Sequence, residues 1–157
     1  MLKDIQIQQS MGDLELARIR NLRYEILRKP LALPSSDAVF PGDEDQNTLH
    51  ILAFSNVDLI GCATLMMGDS NAIQLRGMAI ANVWQRNGVG QLIVSAAKSI
   101  AIAKSKSLWC NARFPAIGFY ERQGWTQSGD FFHIPVIGPH IVMKWPGIEK
   151  NNDDTVN

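Results

Sequence analysis

The sequence lacks an excess of charge of either sign. Fifteen Lys and Arg side chains balance fifteen Asp and Glu side chains over 157 residues, so the formal net charge is zero. Proteins that bind nucleic acid or anionic membranes usually carry a basic surplus. We therefore expect neither nucleic acid nor membrane as a partner, and any anion site must be built locally from a few placed groups.

The chain also has no long apolar run and few cysteines. No segment approaches the roughly 20 apolar residues that span a bilayer, and the first ten residues, MLKDIQIQQS, lack the apolar core of a signal peptide. Only Cys62 and Cys110 occur, both in apolar stretches and without a neighbouring histidine motif that would favour a nucleophile. We expect buried free thiols and a cytoplasmic protein.

The length and composition of the chain suit one globular domain. Apolar residues make up 46% of the chain and charged residues 19%, which is an ordinary balance, and the length allows a sizeable core. Neither an internal repeat nor a low-complexity segment is evident. We predict a single domain over residues 1–147, followed by a polar and flexible tail at 148–157.

Hydrophobic periodicity predicts an α/β (α+β) fold. A meander of antiparallel strands is followed by one strand–helix–strand step, which requires a parallel crossover. Between the first helix and the second strand, residues 31–47 form a Pro-, Ser- and Asp-rich loop, and loops of this length are usually functional or mobile. The predicted strands are 3–8, 48–55, 58–67, 72–80, 107–111, 125–133 and 140–145; the predicted helices are 13–28, 89–104 and 115–123.

A glycine-containing loop, QRNGVG at 85–90, joins a predicted strand to a predicted helix. Glycines permit close approach and positive φ, so that several backbone N–H groups and the helix N-terminus can converge on one phosphate group. The spacing differs from the GxGxxG of dinucleotide-binding folds, and the GK[ST] of a Walker loop is absent. Taken alone, the loop is more typical of an ordinary connecting turn.

A second segment, CNARFPAIGFYERQGW at 110–125, gives the loop a context. Together the two segments resemble the GNAT superfamily of N-acetyltransferases. The family's motif Q/R-x-x-G-x-G/A is matched by Gln85, Gly88 and Gly90; its motif A-x-x-F-Y-x-x-x-G-F/W is matched by Ala116, Phe119, Tyr120, Gly124 and Trp125. The resemblance covers about residues 20–144 and points to a small, uncharacterised bacterial subgroup.

The resemblance implies a fold and a cosubstrate. The fold is a mixed, mostly antiparallel sheet of six to seven strands, flanked by about four helices, with a V-shaped split between strands 4 and 5. The cosubstrate is acetyl-CoA, and no metal ion is implied. Its pyrophosphate would be held at the loop and its pantetheine arm along the fourth strand; the residues implied are Met78, Ala79, Ile80, Gln85, Arg86, Asn87, Gly88, Val89, Gly90, Gln91, Asn111, Phe119 and Tyr120. Asn111 could equally cap the next helix, and Phe119 could be a plain core aromatic.

The resemblance also implies catalytic roles. Tyr120 would act as general acid towards the leaving CoA sulfur. Some histone-type relatives carry a glutamate base on the fourth strand, and that position is Gln74 here, which cannot accept a proton. The remaining candidates for a base are His50, His140 and acids of the 31–47 loop such as Asp37 and Glu44, with His133 less favoured; a neutral amine served by a water chain is a further alternative.

The main interpretation is transfer of an acetyl group from acetyl-CoA to a primary amine by direct attack in a ternary complex. A non-catalytic acyl-CoA-binding module and an unrelated ATP- or NAD-binding protein are the alternatives. The acceptor is expected to be a small-molecule or peptide amine, and relatives commonly form homodimers. Loop acids would suit a cationic amine, yet they are equally typical of a solvated loop (Asp37, Asp43, Glu44, Asp45). Arg76, a cation in an apolar strand, could contact substrate or pair with an acid such as Glu25.

Overall fold

The computed structural model describes residues 4–68 and 70–147, and the predicted tail at 148–157 lies outside these described residues. Seven strands form one sheet in the order β1-β2-β3-β4-β5-β7-β6. Their bounds are β1 Ile5–Met11, β2 Leu49–Ser55, β3 Asp58–Met66, β4 Ala72–Ile80, β5 Ser107–Arg113, β6 Thr126–Ile134 and β7 Gly138–Trp145. The α-helices are α1 Leu16–Arg23, α2 Val89–Ala103 and α3 Ile117–Arg122.

The fold class predicted from the sequence is confirmed, with a correction to the number of helices. β4 and β5 pair in parallel across the α2 crossover, and the neighbouring pairs on both sides are antiparallel. Within the described residues three α-helices flank the sheet rather than about four. A π-helical turn (Tyr24–Arg28) prolongs α1, and the segment after it forms only 3-10 turns, where Pro30 and Pro34 remove backbone N–H donors that a longer helix would need.

Two hydrophobic cores lie on opposite faces of the sheet. α2 packs Val89, Ile93 and Ala97 on the face that also buries alternate residues of β4, β5 and β7. On the other face, Ile19 of α1 packs against residues of β2, β3 and β4. The two faces are called here the α2 face and the α1 face. Among the described residues, no helix combines the length and apolarity that a membrane crossing requires.

A β-bulge bends β4 in its middle. Cys62 and Thr64 of β3 pair with Ala79 and Arg76, so that two β4 residues face one residue of β3. Gly77 sits in this bulge with φ +63°, and a Cβ added there would lie 2.6 Å from Cε2 of Phe40. Glycine is required at this position both by the backbone conformation and by the close approach of Phe40.

A buried ion pair fixes the 31–47 loop to the sheet. Arg23, which is fully buried, donates from Nη1 to Oδ2 of Asp43 at 2.7 Å and from Nη2 to Oδ1 at 2.9 Å. The same arginine donates to the Ala38 carbonyl, and the Phe40 N–H donates to the Asp43 carboxylate. Arg23 therefore holds the loop at Ala38 and at Asp43, a bond within the loop joins Phe40 to Asp43, and the Phe40 ring lies against the bulge.

Candidate active site

A cleft opens where β4 and β5 separate. The two strands are paired only over Ala72–Gln74 and Ser107–Trp109, and beyond this point they diverge. The resulting cavity has a volume of about 380 Å³. Residues from both strands line it, together with groups from the π-helical turn after α1, the 31–47 loop, α3 and the β6–β7 hairpin. The V-shaped split predicted between strands 4 and 5 is confirmed.

Residues of both faces of the sheet line the cleft, and the two sets differ chemically. Leu75, Cys110 and Ala112 belong to the core on the α2 face. Side chains alternate along a strand, so Arg76, Asn111 and Arg113 project towards the α1 face instead. Arg76 lies over the Phe40 ring and Arg113 bonds the Leu27 carbonyl, both of which belong to that side of the sheet.

The glycine loop lies at the N-terminus of α2, next to the end of β4. Arg86 and Gly88 have φ values of 62° and 85°. Gln85 donates to the Ile80 carbonyl at 3.0 Å, and Asn87 donates to the Gln85 carbonyl at 3.0 Å, so both side chains brace the loop. The backbone N–H groups at the first turn of α2 have no acceptor within the helix. Such donors at a helix N-terminus can hold an anion.

Aromatic side chains connect this loop to the cleft. Phe119 lies against Gly90, where an added Cβ would be 3.3 Å from the ring. It meets Tyr120 edge-on at 5.2 Å between centroids, and Tyr120 in turn contacts Trp125 at 5.0 Å. Phe119 is partly buried against the core of the α2 face, as is Met78. Side-chain packing therefore accounts for Phe119 and Met78 in addition to any contact with a cosubstrate.

Tyr120 lines the cleft while its ring is buried. Burial raises the pKa of its phenol well above the usual value, and the adjacent Cys110 adds to the rise. The hydroxyl therefore keeps its proton at neutral pH and can donate it. Burial likewise raises the thiol pKa of Cys62 and of Cys110 to about 12. Both cysteines are buried free thiols, as the sequence predicts.

His50 does not reach the cleft. It is fully buried, and its Nε2 lies 3.0 Å from the Asp43 carbonyl, to which it must donate. Its Nδ1 lies 2.9 Å from the hydroxyl of Thr64, which itself accepts from Arg23 and so donates to the imidazole. Burial lowers the pKa of His50. With both ring nitrogens engaged in the loop anchor, the placement corrects the idea of His50 as a base.

His140 does line the cleft, on the same face as Arg113, with which it pairs across β5 and β7. Its Nδ1 lies 2.8 Å from the Gly138 carbonyl, and a carbonyl can only accept, so Nδ1 carries the proton. The neutral ring then presents its lone pair at Nε2, for which the described residues supply no partner. Phe132 stacks on the imidazole at 5.6 Å and fixes its plane. His133 is exposed and does not line the cleft.

The loop acids do not line the cleft. Asp43 is buried with Arg23, while Asp37, Glu44 and Asp45 are exposed. Their expected role in attracting a cationic amine therefore finds no support in their placement. Arg76 does not pair with Glu25, which binds Lys29 instead. Asp45 lines a neighbouring cavity of about 850 Å³, which Arg76 shares with two lysines.

Two further sequence predictions concern polar side chains of the strands. Asn111 lies within β5 and lines the cleft. The helix that follows begins at Ile117 after Ala116, without a side-chain cap, so the alternative role of Asn111 as a cap is wrong. Gln74 lines the cleft where β4 and β5 last pair. An amide therefore occupies the position at which some family members carry a glutamate.

Sequence reasoning missed Arg28 and Arg113 as cleft residues. Neither belongs to a motif, and each lies far along the chain from Arg76. The signal that was available is weak: Arg113 lies two positions beyond Asn111, the last residue of the predicted strand, and would share its face if the strand continued.

Comparison with known proteins agrees with this geometry. The sequence model of the acetyltransferase (GNAT) family matches residues 16–125. The uncharacterised N-acetyltransferase YitI of Bacillus subtilis (strain 168) is 30% identical over 129 residues, which cover 78% of this chain and 85% of YitI. A candidate N-acetyltransferase of Lactobacillus plantarum superposes with a TM-score of 0.83 at 16% identity, covering 92% of this chain and 99% of the other. An aminoglycoside 6'-N-acetyltransferase complexed with coenzyme A superposes with a TM-score of 0.71 at 14% identity, with coverages of 91% and 98%.

Proposed function

The chain belongs to the acetyltransferase (GNAT) family, and from that premise we propose that it transfers an acetyl group from acetyl-CoA to a primary amine by direct attack in a ternary complex. The observation that carries the proposal is the cleft between β4 and β5, which residues of both faces of the sheet line. Two substrates can enter such a cleft from opposite sides and meet in its middle, and their proximity contributes to the rate.

The residues of the α2 face fit the cosubstrate. The backbone N–H groups of residues 86–91, at the N-terminus of α2, would hold its pyrophosphate, with Arg86 adding a charge. Met78, Ala79 and Ile80 belong to the part of β4 that has no partner on its β5 side, so backbone groups there are available to a pantetheine arm as to an added strand. Acetyl-CoA supplies an acetyl thioester. It is the acetyl donor that we infer from the family.

Ligand-induced stabilisation tests the cosubstrate. At about 100 times its dissociation constant, acetyl-CoA should stabilise the protein by roughly 2.7 kcal/mol, and CoA should act similarly. Differential scanning fluorimetry measures the shift in Tm, with ATP and NADH as controls. Stabilisation by the nucleotides and not by the CoA compounds would point to the nucleotide-binding alternative.

The proposed reaction includes two proton transfers, one to His140 and one from Tyr120. The amine nitrogen forms a bond to the acetyl carbon while the bond from that carbon to sulfur breaks. His140 Nε2 takes a proton from the amine, and the Tyr120 hydroxyl gives a proton to the departing sulfur. Solvent then returns a proton to Tyr120 and removes one from His140. Because both cysteine thiols are neutral and buried, no covalent enzyme intermediate is invoked.

Replacing His140 by Gln is expected to lower kcat by about 100-fold or more, because the amide keeps a polar group but accepts no proton. Initial rates should be measured from pH 6 to about 10. The acetyl-CoA affinity of the variant should stay near that of the wild type at every pH, so that the loss lies in kcat. A matched variant, His133→Gln, alters an exposed histidine outside the cleft and should retain the wild-type kcat.

The second candidate function is a non-catalytic acyl-CoA-binding module, which the amide at Gln74 favours. Turnover distinguishes the two. Release of free thiol from acetyl-CoA in the presence of an amine supports the enzyme, whereas binding of CoA without turnover of any amine supports the module. The free thiols at Cys62 and Cys110 support the further proposal that the protein works in the cytoplasm.

A further inference from the structure

Among the described residues, the α1 face of the cleft carries three arginines and no carboxylate. We propose that the acceptor amine carries an anionic group, a carboxylate or a phosphate, which Arg28, Arg76 and Arg113 bind. The inference rests on the proposed acetyl transfer, because it names the class of acceptor for that reaction. Arg28 comes from the turn that follows α1, Arg76 from β4 and Arg113 from β5, and all three line the same cavity.

The guanidinium groups are held in place and keep free donors. Arg76 lies 4.1 Å over the Phe40 ring, and none of its N–H groups takes part in a hydrogen bond among the described residues. Arg28 donates from Nε to the Asp37 carbonyl at 3.0 Å, and Arg113 donates from Nη2 to the Leu27 carbonyl at 3.4 Å. Each arginine has five N–H donors in a fixed fork that matches a carboxylate or phosphate. The cleft therefore offers oriented donors to an anion.

Among the described residues, no acid forms an ion pair with Arg28, Arg76 or Arg113. The Asp43 carboxylate forms ion pairs with Arg23 and Arg20. Asp37 is exposed and forms no ion pair within 4.0 Å of Arg28, although its charge acts on that arginine. Asp45 lines only the adjacent cavity, where Lys104 and Lys106 outnumber it. Within the described residues, the acceptor side of the cleft has an uncompensated positive charge.

The positive charges of these arginines also repel one another. Burial lowers the pKa of Arg76, and the charges of Arg23 and Arg28 lower it further, with Asp43 acting in the opposite direction. Burial and the charge of Arg28 lower the pKa of Arg113. Half-buried cations that repel one another without a counterion lower the stability of the fold, and a bound anion relieves that repulsion.

The cluster lies on the wrong face to serve the CoA pyrophosphate. The backbone N–H groups of residues 86–91 lie on the α2 side, as does Tyr120. Phe40 and Leu27 belong to the α1 side, where they contact Arg76 and Arg113 respectively. His140, the proposed base, is on the arginine side and pairs directly with Arg113. An anionic group held by the arginines would therefore belong to the amine that His140 deprotonates.

Binding should be measured without chemistry, as a dead-end complex of the full chain with CoA and an amine. The probes are the common L-amino acids with their carboxamides, phosphoethanolamine with ethanolamine, and putrescine as a cationic amine. Within each pair the anionic member should bind with a dissociation constant about 10- to 100-fold lower, because hydrogen bonds to charged groups are strong. The pair that shows the difference identifies the anion as a carboxylate or a phosphate.

Variants assign the effect to the cluster. Arg76→Gln and, separately, Arg113→Gln should raise the dissociation constant of the anionic probe by about 10- to 100-fold and remove its preference over the neutral partner. The dissociation constant of acetyl-CoA should stay nearly unchanged. Arg18→Gln is the matched control, since Arg18 is exposed on α1 and contacts Val57 and Phe54 outside the cleft. It should bind every probe as the wild type does.

Several results would overturn the inference. These are equal binding of the anionic and neutral partners, tighter binding of putrescine, absence of binding by every anionic amine at millimolar concentration, or a preference that survives in both variants. Failure of the proposed function would look different. Anionic amines would then bind in the dead-end complex, yet acetyl-CoA would not be consumed in their presence.

Discussion

Replacing Tyr120 by Phe is expected to lower kcat by about 100- to 10,000-fold, while the dissociation constant of acetyl-CoA changes little. The substitution removes only the hydroxyl and keeps the ring that packs against Phe119 and Trp125. Because burial holds the phenol in its protonated form, the wild-type side chain is a proton donor throughout the neutral range. Steady-state kinetics with thiol detection measures kcat, and a thermal shift or calorimetric titration measures cosubstrate binding.

The chain supplies a matched control, because it has two tyrosines. Tyr24 lies in the π-helical turn after α1 and does not line the cleft, so Tyr24→Phe should leave kcat unchanged. The assignment of Tyr120 as general acid is wrong if Tyr120→Phe turns over at the wild-type rate at every pH tested. Equal losses in both variants would point to a general loss of structure, which the Tm of each variant reveals.

Replacing Asp43 by Asn is expected to destabilise the fold by about 3–5 kcal/mol, because it leaves the charge of Arg23 buried without a partner. The side chains of both residues are fully buried. The Asp43 carboxylate also accepts from the Phe40 N–H, so a hydrogen bond within the 31–47 loop is weakened as well. Urea denaturation measures the change as a lower midpoint, with the slope as a check on two-state unfolding.

An aspartate two residues away is the control. Asp45 is exposed in the same loop, and Asp45→Asn should change the stability by no more than about 0.5 kcal/mol. Equal small effects in the two variants would show that the Arg23–Asp43 pair contributes little to the fold.

The same pair gives a dependence on pH with a definite sign. Burial alone would raise the pKa of Asp43, but the hydrogen bond and charge of Arg23 outweigh it, and the folded-state pKa lies below the usual value. The ionised form therefore stabilises the fold above the unfolded-state pKa of about 3.9, and this stabilisation is lost as the pH falls through the lower folded-state value. The difference in stability between wild type and Asp43→Asn should be constant near neutral pH and shrink below about pH 4.

Much of the fold was determined by the sequence itself. The strands and helices follow from local periodicity, and six of the seven strands were predicted within two residues of their ends, although β1 extends three residues further, to Met11. The two motifs also indicated the family, because their residues and their spacing match a family pattern that joins the loop at 85–90 to the helix near 117–122. Local signals suffice here because each element is a continuous stretch whose hydrophobic pattern and flanking glycines and prolines act over a few residues.

The tertiary structure decided which polar side chains share the cleft. The sequence does not distinguish His50 from His140 as a candidate base. In the structure, both ring nitrogens of His50 form hydrogen bonds, whereas His140 uses only Nδ1. Asp43 resembles its acidic neighbours until Arg23 is brought beside it by packing of α1 on the sheet. The separation of β4 from β5 brings together arginines from positions 28, 76 and 113. Such groupings depend on contacts between residues distant in sequence, which only the packing of α1 and the loop against the divided sheet specifies.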